Sequence, residues 1–341
     1  MNLREGLGYT RLSSHEQQAY KTVLAALSSM AVSFDFSQIH PSVDLMKIIN
    51  SVLGDNPSVI YFNKTAVETI ESGLDKQIEL TGVIPKPQVE KMILELEEKA
   101  EQMVSSVKAG TADDYARLLK LYDVLQSSIR YDKQELQAMS SGKSNNPLSH
   151  NAYGSLVNGV AVCDGFSAAF TLLANRLGYE SMLVTGDSLQ SPTVSVKHSW
   201  NVVKVNGRHY HMDVTWDARK YHEYEGFSYS YFALDDEDIA NDHEWEINTT
   251  PACSYNDLSF FLKNGLFANN IGQCADIIRA TLKKQSSFIR LRLSYNIALP
   301  ENTGDYLMQL VMTEARKHGI SKRFEYYWND QTRCFYLKFL N

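Results

Sequence analysis

The chain has little cysteine: four residues in 341, at positions 163, 253, 274 and 334. They are too few and too scattered for a disulfide framework, and no CxxC occurs. No apolar run approaches the length needed to span a membrane. The opening MNLREGLGYT lacks the apolar core of a signal peptide. The sequence thus reads as cytoplasmic, although a chain already trimmed of its signal, secreted or displayed at a cell surface, would read the same. Lysine and arginine form no block. They number 33 against 40 acidic residues, a net charge of −7. Nucleic acid is therefore not an expected partner. Repeats and low-complexity segments are absent too, and the length allows two or three domains.

What the chain does have is concentrated near its middle. AVCDGFSAAFTLLANRLG (161–178) is a short apolar run that becomes an amphipathic helix. Phe166, Ala169, Phe170, Leu173 and Leu177 recur at three- and four-residue spacing, and Gly178 stands where a left-handed C-cap is expected. Cys163 falls at the N-terminus of this helix. Free N–H groups and the positive end of the dipole there favour thiolate over thiol. The same N–H groups can bind an oxyanion. Gly165 allows another segment to approach closely.

A second signal is independent of the first. KHSWNVVKV (197–205) and RHYHMDVTWD (208–217) flank Asn206-Gly207, the pair that favours a two-residue type I′ turn. Such a turn pairs positions whose numbers sum to 413. Trp200 then faces Asp213, and His198 becomes a diagonal neighbour of Asp213 on one face. Val203, Val205, Tyr210, Met212 and Val214 share the other face as core. Each residue alone has an ordinary structural reading: a buried cysteine, a surface histidine, a ladder aspartate. Together, a helix-start cysteine and a His–Asp pair on a hairpin are the parts of a thiol acyl-transfer site. A metal site is the alternative reading, since His209, His211 and Asp213 alternate along one strand on the face of His198. It leaves Cys163 unexplained, so metal and cofactor are both expected to be none.

The remaining chain divides by pattern. Helices are predicted over 13–30, from Pro41 to Gly54, over 87–108 and from Thr111 onward, with a short strand at Val59–Phe62. The charged run 90–101 reads as a solvated helix face, and 139–151 as a polar loop. A strand is predicted near 181–186. The aromatic stretch 221–232 reads either as a strand and loop beside the groove or as a partly exposed tyrosine-rich strand. After Pro251 come helix 273–285, strand 288–296, helix 304–318 and a hairpin of 323–329 with 333–340. The expected domains are a mainly helical 1–110, a core 111–250 and a small α+β unit 251–341.

The segments YGSLVNGVAVCDGFSAAFTLLANRLGYESMLVTGD (153–187) and KHSWNVVKVNGRHYHMDVTWD (197–217) resemble the transglutaminase-like superfamily in its bacterial form. IRYD (129–132) and YFALDDEDIANDHEW (231–245) fit the same pattern, and DNPSVIYF (55–62) looks like an element found beside such domains. The resemblance covers about residues 111–245. It implies an α+β, papain-like core, with the cysteine helix packed on an antiparallel sheet. It places the nucleophile at Cys163, the base at His198 and the orienting carboxylate at Asp213. Tyr153 stands where the family has an aromatic before the cysteine, to donate to the oxyanion or to pack. Asp164 and Trp200 are the other candidate oxyanion or substrate residues. The family includes protein cross-linkers, peptidases, deamidating enzymes and members without catalysis. The expected partners are a protein or peptide carboxamide and an amine or water acceptor. No acidic loop reads as a calcium site.

Overall fold

A computed structural model describes residues 3–340, except 65–66, 73–74, 192–193, 225 and 227. The chain divides into two compact units: Met1–Asp236 with His243–Tyr255, and Glu237–Asp242 with Asn256–Asn341. Among the described residues no helix is long and apolar enough to cross a membrane.

The first unit opens with helix Ser14–Ser28. The Ser13 side chain accepts from the Glu16 amide while Glu16 reaches back to the Ser13 amide, a reciprocal cap. Helix Leu45–Asp55 follows, capped by Asp44. Their apolar stripes meet around Tyr20, Val23, Leu27, Ile48, Ile49 and Val52. Residues 59–62 are buried as expected but form no strand. Their backbone is partnered singly, with Ile84 N–H donating to the Tyr61 carbonyl. The N-terminal region also contains a three-stranded antiparallel sheet in the order Ser33–Asp35, Asp75–Leu80, Val67–Ser72, which the sequence reading did not anticipate. Long helix Lys86–Lys108 and helix Asp114–Ser128, capped by Asp113, lead into the central segment.

That segment is a helix on a sheet. The sheet is antiparallel, in the order His243–Glu244, Glu180–Ser191, Val194–Val205, Arg208–Met212, Phe232–Leu234. Asn206 (φ 50°) and Gly207 (φ 78°) make the left-handed turn. The register is the one their type predicts, with Asn201 opposite Met212 and Val205 opposite Arg208. Pairing stops at Met212, however. Residues 214–224 form a helix, so neither the expected strand through 216 nor a strand at 221–224 exists. The ladder ends where Asp213 turns its carboxylate to cap the new helix, accepting the Trp216 amide at 3.1 Å. In the aromatic stretch beyond, residues 225 and 227 lie outside the described residues.

Helix Cys163–Arg176 packs on the sheet. The Asn201 amide donates to the Ser167 carbonyl and Thr171 Oγ1, each at 3.0 Å, which fixes helix to strand. Gly178 closes the helix region in the left-handed conformation (φ 95°). The 139–151 segment is held in place by two buried carboxylates. Glu135 accepts from Ser144 Oγ and the amides of Asn145 and Asn146, and Asp132 accepts from Asn146 and Ser149 side chains. The Ser149 carbonyl then lies against the cysteine helix. A Cβ on Gly165 would sit 2.2 Å from that oxygen, so glycine is required there.

The second unit is α+β. A four-stranded sheet runs Phe267–Ala268, Phe288–Leu293, Cys334–Phe339, Phe324–Asn329, with helices Ile271–Lys283 and Thr303–Lys317. Ile278, Leu282, Leu291, Leu307, Val311 and Phe335 form its core. Its helices, central strand and closing hairpin follow the periodicity read from the sequence.

Candidate active site

The cysteine helix begins at Cys163 itself. Of the four cysteines, all free, only Cys163 is not fully buried. Its thiol is nonetheless pushed up to about 12. Burial is the main cause, and the carboxylates of Asp164 and Asp213 add to it. The backbone amides of Ser199 and Asp164 pull the other way without prevailing. The helix terminus therefore does not make the resting thiolate that the sequence reading expected. Cys163 rests as a neutral thiol.

His198 comes from the strand beside the helix. Its Nε2 is 2.7 Å from Asp213 Oδ2, and both side chains are buried. Since a carboxylate only accepts, His198 carries its proton on Nε2, which leaves Nδ1 as the basic nitrogen. Burial opposes ionisation of Asp213. The imidazoles of His198 and His243 outweigh it and hold the carboxyl well below the usual range. His243 is the residue that sequence reasoning missed. It lies within the quoted 231–245 segment, 30 positions from Asp213. Its Nε2 approaches the same Oδ2 at 3.2 Å because strand His243–Glu244 pairs with Glu180–Ser191. Only the pairing of strands distant in sequence brings it there.

The aromatic candidates change places. Trp200 is fully buried and does not line a substrate groove. Its ring stacks on His198 with centroids 6.1 Å apart, and its Nε1 donates to His211 Nδ1 at 3.0 Å. It is the floor under the base. Trp216, half-exposed, meets His198 edge-on at 5.9 Å. The Tyr153 hydroxyl is engaged away from the thiol. Its hydroxyl donates to Glu95 at 2.5 Å, and that bond raises it to about 12. Tyr131 occupies the expected neighbourhood instead. Burial raises its hydroxyl, and its electrostatic coupling to Cys163 adds to the effect. Among the described residues that hydroxyl has no hydrogen-bond partner. IRYD held this signal, but nothing in the sequence showed that Tyr131 rather than Tyr153 approaches the thiol.

Asp164 is committed elsewhere. It receives Lys64 Nζ at 3.0 Å and His150 Nδ1 at 3.0 Å, and His150 Nε2 reaches Glu135 at 3.1 Å. Burial works against its charge, but Lys64 and His150 prevail and bring it down to about 2. Its side chain is a tie between Lys64, the cysteine helix and the 139–151 segment. Its backbone amide favours the Cys163 thiolate, whereas its carboxylate disfavours it.

The histidines do not converge as the metal reading required. His209, whose pKa is lowered by burial and by Lys204, belongs to neither cluster of ligand atoms found among the described residues. His211, Asp236 and Cys253 do place one ligand atom each within 4.8 Å of one another, as do His198, Asp213 and His243. Both groups fail on donor chemistry. Trp200 N–H occupies His211 Nδ1, so the ring proton sits on Nε2 facing Asp236. Asp213 likewise needs protons on both facing Nε2 atoms. No imidazole lone pair is directed at a cation in either group.

Residues 101–214 match the family model described as transglutaminase-like superfamily. This third of the chain is similar to that superfamily. Cys163, His198 and Asp213 all fall within it. Two solved structures are similar at low identity. One, titled a crystal structure of a TGase, is 14% identical with a TM-score of 0.33, over 44% of this chain and 43% of that one. The other, a putative cysteine protease from Cytophaga hutchinsonii, is 12% identical with a TM-score of 0.28, over 44% of this chain and 61% of that one. The chain thus covers less than two thirds of the length of either. No curated protein matches the sequence.

Proposed function

We propose that this site carries out thiol-dependent acyl transfer from a protein or peptide carboxamide, through a thioester on Cys163. The observation that carries the reading is the buried 2.7 Å contact between His198 Nε2 and Asp213 Oδ2, on a strand packed against the helix that begins with Cys163. An aspartate in that position fixes the tautomer that leaves Nδ1 basic, and supports imidazolium when it forms.

His198 takes the thiol proton as sulfur attacks the carboxamide carbon, since the thiol is neutral at rest. Backbone N–H groups at the helix start and the Tyr131 hydroxyl donate to the oxyanion. As the tetrahedral intermediate collapses, His198 passes its proton to the leaving nitrogen. Ammonia departs from a glutamine side chain and the thioester remains. A lysine amine then attacks, loses a proton to His198 and expels the thiol. Water in place of the amine gives deamidation, and a backbone amide as donor gives peptide cleavage.

The test is mass spectrometry of glutamine-containing peptides incubated with the protein and a labelled primary amine. Amine incorporation that saturates and disappears in Cys163→Ala supports the proposal. Deamidated or cleaved product alone, at every amine concentration, would assign the site to a hydrolase. No product at all, with Cys163 unreactive, would assign the domain to binding.

A further inference from the structure

We propose that Arg219 is the specificity element of this site and receives a carboxylate carried by the acyl-donor substrate, so that the preferred donors are acidic peptides. The proposal rests on the acyl-transfer reading above.

Arg219 projects from helix Val214–Tyr224, six residues beyond Asp213. Its side chain is exposed. Its guanidinium lies over Tyr131, 5.5 Å from the ring centroid, and over Trp216 at 5.8 Å. Those two rings border the reacting groups: Trp216 meets His198 edge-on, and Tyr131 lies within the field of Cys163. Arg219 therefore stands one ring away from His198, and its other ring partner, Tyr131, is electrostatically coupled to Cys163.

Four other arginines are paired with acids: Arg117 with Asp114, Arg176 with Glu97, Arg279 with Glu314, Arg292 with Asp238. Arg219 makes no ion pair or hydrogen bond among the described residues. The acids nearest the thiol are already satisfied, Asp164 by Lys64 and His150, Asp213 by two imidazoles. In a chain of net charge −7, no acid among the described residues compensates this guanidinium. Stacking uses the faces of a guanidinium and leaves its N–H edge free, and that edge matches a carboxylate with two parallel hydrogen bonds. The rings also restrict the side chain, which lowers the entropy lost when a carboxylate docks.

A competing role is electrostatic tuning of the Tyr131 hydroxyl, which the Arg219 charge does affect. Tuning would act equally on every donor, whereas recognition discriminates by donor charge. Peptides alike except for aspartate, asparagine or lysine beside the glutamine separate the two. Binding is measured first, to the Cys163→Ala protein, so the result does not depend on turnover. Recognition predicts about three- to tenfold tighter binding of the aspartate peptide than the asparagine one at low salt, shrinking as salt rises. Arg219→Gln in that background should bring the ratio to one, and Arg219→Glu should favour the lysine peptide. The same ratios in kcat/KM, carried by KM, are expected from the active enzyme. Equal binding of all three peptides, or an equal loss for all three in Arg219→Gln, would overturn the proposal. Failure of the acyl-transfer reading itself would appear separately, as charge-selective binding with no chemistry in the wild-type protein.

Discussion

At the scale of single residues, the account turns on how Cys163 is ionised. Buried beside two carboxylates, its thiol is raised to about 12, so its thiolate fraction grows with pH well above neutrality. Iodoacetamide should label Cys163 before Cys253, Cys274 and Cys334, because the other three are buried. The labelling rate should climb steadily from about pH 8 to about pH 10. A rate that levels off near neutral pH would mean a preformed thiolate–imidazolium pair, against this account. Asp213→Asn should remain folded and lower turnover by orders of magnitude, and adding His198→Ala should cost little more, since the pair acts as a unit. Near-normal activity in a folded Asp213→Asn protein would remove Asp213 from the site. His243→Phe should cost less than Asp213→Asn, since it removes one of two imidazoles from Oδ2 and leaves the His198 contact.

At the scale of elements, much of the arrangement was legible in the sequence. Asn206-Gly207 determined the hairpin register, and helical spacing with Gly178 determined the cysteine helix. Those signals are local, so they can be read from a short window. The helix at 214–224 was not legible. VTWD continues the strand alternation, and only the Asp213 cap on the Trp216 amide decides that the chain turns there. His243 and Lys64 were not legible for a different reason. Each reaches the site through pairing or packing across long sequence separations.

The Lys64–Asp164 tie gives a pH prediction at this scale. Asp164 is depressed from 3.8 to about 2, so it binds protons more weakly folded than unfolded. Its contribution is fully present above the unfolded value and is lost as pH falls from about 4 toward about 2, amounting to about 2 kcal/mol. In urea unfolding at pH 7, Lys64→Met should lose stability of that order, and the gap from wild type should narrow across that acid window. A gap that stays constant down to pH 2 would show that the tie contributes through packing rather than charge.

At the scale of the whole molecule, the first unit brings its N-terminal region to the cysteine helix through the Lys64–Asp164 ion pair, a closer tie than composition suggested. The second unit is a separate α+β body with its own core, and its helices were readable because their apolar stripes are regular. Everything proposed for the chain depends on one covalent event. A glutamine-containing peptide is incubated with the protein, quenched in acid to preserve thioesters, and the intact mass is measured. The account predicts a protein heavier by the peptide less one ammonia, released by hydroxylamine, mapped to Cys163 and missing in Cys163→Ala and His198→Ala. An unmodified protein under conditions where iodoacetamide labels Cys163, or an adduct that persists in Cys163→Ala, would contradict it.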